Sequence, residues 1–446
     1  MDFNEKNIKL LLEKKLCIDF IDIKLIRQDD ESNIYKGCGS ITQDSEGLLQ
    51  LKVYRPIKDE RYTPYIHEGD HEVGKIIPKK RYYKLEATDL TGTQWTAENI
   101  LVPNRFIDGA GEILNLDVCS LNCQKKEENL EAPELASSTV IIPGKFDCPC
   151  NKKEETERSV RWNICSFRAQ GVDIEIVNRD HFIILRFCGL TNICNEDFIK
   201  RTIQALSIAI GRKCLILAVL TNKKKKQLII LNRTKPIDQN IRLLQPFDSR
   251  FIASTEDFID FITCYLGAFD KPYCEFYVFW ERIAYATGEI QNQCLITTVA
   301  IEGLVKTYYR STFTPNEKQI NFFKRALTKI KNFDFDQETS HLLCSFLSSK
   351  INGQSKHWKN ALRNLSDKNL FDSSIILTYE KRRNSSAHGE LINDTDEKYQ
   401  EVLDDFFKCL RIFYALLLDT INYHGERIDM SVPGWPNIKE GYGPKK

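Results

Sequence analysis

Apolar and polar residues alternate with period two through much of the first half of the chain. Leu49, Leu51 and Val53 alternate with Gln50, Lys52 and Tyr54, and Tyr83, Leu85 and Ala87 alternate with Lys84, Glu86 and Thr88. Asp89-Leu90-Thr91-Gly92 then turns the chain into Gln94-Trp95-Thr96. Such alternation between turn residues predicts half-buried antiparallel strands. Val172, Ile174 and Ile176, followed across Asn178-Arg179-Asp180 by Phe182 to Phe187, predict a further hairpin. Next comes a helix capped by Asn195, with an apolar stripe of Ile199, Ile203, Leu206 and Ile210 and a stop at Gly211. Two more strands, Cys214 to Leu220 and Gln227 to Leu231, flank the lysines at 223–226.

Further on, the period lengthens to that of a helix. Leu295 to Tyr309 and Glu317 to Ile330 predict amphipathic helices, and the pattern around Ser374 to Tyr379 is helical until the polar Asn-Ser-Ser-Ala-His-Gly-Glu segment that starts at Asn384. Asp394 and Glu397 stand at capping-box spacing ahead of Val402, Phe406, Leu410, Phe413, Leu417 and Ile421. That stripe predicts one long amphipathic helix. The expected fold class is α+β, with a β-rich amino-terminal domain over 1–255, a helical bundle over 256–430 and an irregular, Gly- and Pro-rich tail over 431–446.

Composition narrows the function classes. The 446 residues are 42% hydrophobic and 28% charged, ordinary for a globular chain with sizeable cores. The first residues lack the basic-then-apolar order of a secretory leader and no run suits a membrane span, so a cytoplasmic protein without membrane contact is expected. With 63 basic and 62 acidic residues, a global field cannot hold nucleic acid, and any such affinity must come from a local patch. The lysines at 223–226 read first as a solvated hairpin tip that guards against edge pairing. His67 and His71 read as loop residues rather than a metal pair, and Trp95 and Trp162 as core.

Fifteen cysteines in a chain of this kind are expected to be reduced, buried or metal-bound. Cys214, Cys264, Cys294, Cys344 and Cys409 sit singly in apolar stretches and read as small core residues. Cys119, Cys123, Cys148 and Cys150 form two close pairs in the Lys/Glu-rich stretch 115–155. Four thiolates could hold a structural zinc there; free thiols, or an exchange with Cys165, are the alternative. Nothing in the sequence calls for a catalytic metal.

The most informative residues are Arg383-Asn384-Ser385-Ser386-Ala387-His388. They place a permanent cation, an amide and a titratable imidazole close together, a set suited to cleaving an RNA phosphodiester without metal. In that chemistry His388 takes the ribose 2′-hydroxyl proton or protonates the leaving 5′-oxygen, while Arg383 stabilises charge on the phosphorus. On one ideal helix, however, Arg383 and His388 would lie about 140° apart, while Asn384 and His388 would share a face. A purely structural reading makes His388 a helix-end residue beside a Gly389 cap.

In this part the chain resembles the HEPN (higher eukaryotes and prokaryotes nucleotide-binding) ribonucleases, whose mark is an Arg-polar-x3–4-His motif ahead of the last long helix of a bundle. Arg383, Asn384 and His388 match its arginine, polar residue and histidine. The resemblance implies metal-free RNA cleavage by a dimer in which Arg and His of two protomers face one cleft. Glu302 and Lys306 match an acidic and a basic position of some branches, and equally suit an exposed i,i+4 pair. With Gly47-Leu48-Leu49-Gln50-Leu51 and Tyr83 to Trp95 included, the whole chain resembles the ApeA type of anti-phage HEPN protein. That implies abortive infection: a phage trigger releases a latent endoribonuclease that cuts host RNA, such as tRNA. Two other classes remain open, a silent HEPN bundle that dimerises or binds nucleotide, and a ligand-sensing β module on a helical dimer.

Overall fold

The computed structural model describes residues 5–31, 34–55, 75–102, 112–126, 135–145, 148–156, 159–190, 192–223, 226–232, 241–247, 255–268, 274–286, 289–309, 317–333, 335–354, 358–387 and 395–438. The chain divides into two compact units, one of residues 1–241 and 252–255, the other of 242–251 and 256–446. The class is α+β, strands first and helices after.

The first unit opens with helix α1 (Glu5–Leu12) and then carries strands β1 (Cys17–Arg27), β2 (Ile34–Gln43), β3 (Leu49–Arg55), β4 (Tyr83–Asp89), β5 (Gln94–Ile100), β6 (Glu112–Val118) and β7 (Ser120–Lys126). These pair antiparallel in the order β6-β3-β2-β1-β4-β5-β7. β6 and β7 are one stretch of chain bent at the exposed Cys119: the first half pairs with β3, the second with β5. The bend lets one strand close the sheet on itself. Inside lie the alternating residues Leu49, Leu51, Val53, Tyr83, Leu85 and Trp95. The Asp89 corner is built from the inside: its Oδ2 accepts from Trp95 Nε1 at 3.0 Å and its Oδ1 from the Thr91 and Thr93 amides. The chain turns there at Gly92 with φ +81°, which a side chain would resist.

β7 also pairs with a second run of strands, in the order β14-β13-β8-β12-β11-β10-β9. These are β8 (Leu135–Pro143), β9 (Lys152–Thr156), β10 (Ser159–Ala169), β11 (Val172–Asn178), β12 (Phe182–Leu190), β13 (Ala218–Lys223) and β14 (Lys226–Asn232). Helix α2 (Glu196–Ala209) lays Phe198 edge-on against Phe187 of β12. Its cap is Asn195, whose side chain accepts from the Phe198 amide at 2.9 Å, and its stop is Gly211 at φ +64°. β13 starts at Ala218 rather than Cys214, and Lys223 pairs with Lys226 at the hairpin tip, of which 224 and 225 lie outside the described residues.

Trp162 departs from its expected place in the core: 62% of it is exposed, with Lys153 Nζ 5.0 Å from the ring centroid. The reason is register. Pairing of β10 with β11 begins at Ile164, so the start of β10 overhangs the sheet and, among the described strands, pairs with β9 alone. Trp95 is fully buried.

The second unit is helical: α3 (Thr255–Gly267), α4 (Cys274–Tyr285), α5 (Ile290–Tyr308), α6 (Glu317–Lys331), α7 (Gln337–Gln354), α8 (Trp358–Asp367), α9 (Ser374–Ala387) and α10 (Asp396–Thr420). α5, α9 and α10 pack pairwise, and α6 and α7 form a hairpin. α10 buries Val402, Phe406, Leu410, Phe413 and Leu417 as its stripe requires. Its cap is Thr395, whose Oγ1 accepts from the Lys398 amide, one residue beyond the expected Asp394, which lies outside the described residues. α9 also outruns expectation. It continues through Asn384 to Ala387, because no Gly or Pro intervenes before Gly389 to stop it. Past α10, β15 (Arg427–Ile428) pairs with β16 (Asn437–Ile438) and Trp435 stands edge-on to Phe407. Residues 439–446 lie outside the described part.

Candidate functional site

The site is built where α9 meets its two neighbours. Lys381, Arg382 and Arg383 are consecutive, so each points about 100° from the last. Lys381 bonds Glu401 of α10. Arg382 is buried and its Nε donates to Asp405 Oδ2 of α10 at 2.7 Å, with Nη2 3.3 Å from Glu401 Oε1. Arg383 turns the other way, its Nε donating to Glu302 Oε2 of α5 at 3.0 Å. One helix is thus tied to two others by three successive cations. Tyr379, one turn earlier, adds a bond from its hydroxyl to Thr298 O of α5 at 3.3 Å.

Glu302 shares itself between two cations. Its Oε1 accepts from Lys306 at 2.6 Å, the i,i+4 pair visible in the sequence, while Oε2 takes Arg383. Burial works to raise the Glu302 carboxyl, but the hydrogen bonds from Lys306 and Arg383 outweigh it and hold the group below its ordinary range. Glu302 is therefore an anion at neutral pH that fixes the guanidinium from its Nε edge. The two terminal NH2 groups of Arg383 hydrogen-bond no described residue, and the side chain is 30% exposed. A guanidinium gripped by Nε presents its end-on fork, the geometry that takes two oxygens of a phosphate.

Asn384 follows on the exposed surface of α9. His388 lies outside the described residues, one position past the helix that carries Arg383. Arg383, Glu302 and Lys306 are brought together; Asn384 stands beside them in sequence.

Asp405 and Glu401 were missed by sequence reasoning, although one signal was present. Asp405 sits between Val402 and Phe406 on the apolar stripe of α10, and a carboxylate on a buried face demands a cation. The run Lys381-Arg382-Arg383 offered one on a neighbouring helix. Near this pair stand the buried free thiols of Cys294 (α5) and Cys409 (α10), whose mutual interaction lowers the Cys294 thiol and, together with burial, raises that of Cys409. Cys214 is buried with them in kind, whereas Cys264 and Cys344 are only half-buried.

The four cysteines considered for zinc do not gather. Cys119 is exposed at the β6–β7 bend, Cys123 faces the core of the closed sheet, and Cys148 and Cys150 lie near Asn178, whose Nδ2 donates to Cys148 O at 3.1 Å and Cys150 Sγ at 3.3 Å. Among the described residues no three His, Cys, Asp or Glu side chains stand together as a metal site. His67 and His71 lie outside the described residues. Among those residues, too, no helix is long and apolar enough to cross a membrane. No protein-family model matches this chain, and no curated protein matches it either.

Proposed function

We propose that the chain is a metal-independent endoribonuclease of the HEPN type, acting as a dimer in anti-phage defence by abortive infection. The observation that carries this reading is the Arg383 guanidinium, held by Glu302 at Nε with its end-on fork left for a phosphate. In the mechanism, that fork binds two non-bridging oxygens of the scissile phosphate and stabilises the charge that builds on them as the ribose 2′-oxygen attacks phosphorus. His388 removes the 2′-hydroxyl proton or delivers one to the leaving 5′-oxygen. Asn384 is the third, polar member, a hydrogen-bonding neighbour to the phosphate or the imidazole. A dimer supplies His388 from the partner subunit to a cleft that one helix could not complete alone.

The products distinguish the reaction. With total tRNA as substrate and EDTA present, the parent should yield 2′,3′-cyclic phosphate or 3′-phosphate ends with 5′-hydroxyls, and the His388→Ala variant none. Cleavage that appears only when Mg2+ replaces EDTA, and that leaves 5′-phosphate ends, would mean a metal-dependent hydrolysis and sink the mechanism. The second reading, a silent HEPN bundle, is favoured by the Glu302–Arg383 ion pair itself, which ties α5 to α9 whether or not a phosphate ever arrives. Under it, both proteins leave tRNA intact in cells challenged with phage as well as in the tube.

A further inference from the structure

The α6–α7 hairpin has a surface that the proposed chemistry does not use. The fifteen residues of α6 hold five cations against a single carboxylate, Glu317, in a chain whose net charge is only +1. With five cations and one carboxylate, the helix alone carries a formal charge of +4. Ile320, Phe323, Leu327 and Ile330, at steps of three, four and three, are half-buried and form its inner stripe, and α7 packs against the helix. The opposite face is different. Lys318, Phe322, Arg325 and Lys329 fall at i, i+4, i+7 and i+11, all exposed, and within about 60° of the circumference they make one line about 16 Å long. The Phe322 ring, 67% exposed, sits in that line between cations. None of the three cations is ion-paired to a described residue.

We propose that this outer face of α6 binds single-stranded RNA, with Lys318, Arg325 and Lys329 on successive phosphates and a base stacked on Phe322. The inference rests on the ribonuclease reading for the choice of RNA over other polyanions. Single strands are favoured over duplex because the ring needs an unstacked base to meet. A lipid surface fits less well: an interfacial helix sinks a broad apolar face between headgroups, and here the apolar stripe is turned inward while one ring alone stands among the charges.

The test measures binding apart from cleavage. All proteins carry His388→Ala, the buffer contains EDTA, and the probe is a 5′-labelled uridine oligomer followed by fluorescence anisotropy over a salt series. Relative to that protein, the triple substitution Lys318→Gln, Arg325→Gln, Lys329→Gln should weaken binding and flatten the slope of log affinity against log salt by about 2, since each phosphate contact on a single strand contributes about 0.7. Phe322→Ala should weaken binding by about fivefold or more. All four positions are exposed, and circular dichroism should show the helical content kept. Unchanged affinity and slope, or no binding of the oligomer by the His388→Ala chain, would overturn the proposal. So would Phe322-dependent retention on phosphatidylserine vesicles with oligomer binding untouched, which would hand the face to a membrane. If the chain with His388 intact binds the oligomer through α6 yet cuts no RNA, the nuclease reading fails and the RNA surface stands; if it cuts RNA at a rate the α6 substitutions do not move, the surface fails alone.

Discussion

Two adjacent arginines on α9 have opposite physical situations. Arg382 is 8% exposed and holds Asp405, itself 5% exposed, so removing the guanidinium leaves a carboxylate buried without its main partner. Arg382→Ala should destabilise the fold by about 3–5 kcal/mol in urea unfolding. Arg383 stands at the surface beside Glu302, which keeps Lys306 when the arginine is gone. Arg383→Ala should therefore cost about 1 kcal/mol or less while abolishing RNA cleavage. Equal losses of stability in the two variants would mean that Arg383 is a structural clamp like its neighbour. The sequence announced three cations in a row but not their division of labour, because burial is decided by which helix each one meets.

At the scale of elements, what the chain's periodicity determines was legible and what register determines was not. The stripes of α2, α5, α6 and α10 are local properties of consecutive residues, and each helix lies where its stripe places it, with ends shifted by a few residues. Trp162 shows the other case: alternation says which face a strand residue takes, but its exposure follows from where β11 begins to pair, which no local pattern encodes. The same overhanging region has an ionic fastener. Arg179 grips Glu154 through both of its terminal nitrogens, and Asn163 adds a third bond at 2.7 Å. The hydrogen bonds from Arg179 and then Asn163 bring the Glu154 carboxyl to about 2. A carboxyl depressed in the folded state stabilises fully above its unfolded value near 4.5, and that stability is lost as pH falls towards about 2. After solvent screening the effect is about 1–2 kcal/mol. Acid unfolding of the parent between those limits should be shallower in Glu154→Gln, which has no charge left to lose; identical acid profiles would show the pair contributes nothing.

For the whole molecule, the change from alternating to helical periodicity announced the α+β class, but the seam between the two units is less simple than a change of period. Residues 242–251 group with the helices. Leu244 O accepts from Tyr414 Oη at 2.7 Å, Pro246 O accepts from the Ile428 amide at 2.9 Å, and Phe247 packs edge-on to Phe261 and Tyr423. A fragment starting at 256 should accordingly be less stable than one starting at 242 by about 3 kcal/mol or more, read from thermal or urea unfolding. Equal stability would make that segment a passive linker. Of the candidate site, the types of residue were legible in the run from Arg383 to His388, whereas the role of Glu302 needed α5 and α9 side by side. The proposed grip of the Arg383 fork on the scissile phosphate is tested most directly by the rate of tRNA cleavage in EDTA by parent and by Arg383→Lys. Arg383→Lys should lose about 100-fold or more, since an ammonium keeps the charge but cannot span two oxygens. A rate near that of the parent would contradict it.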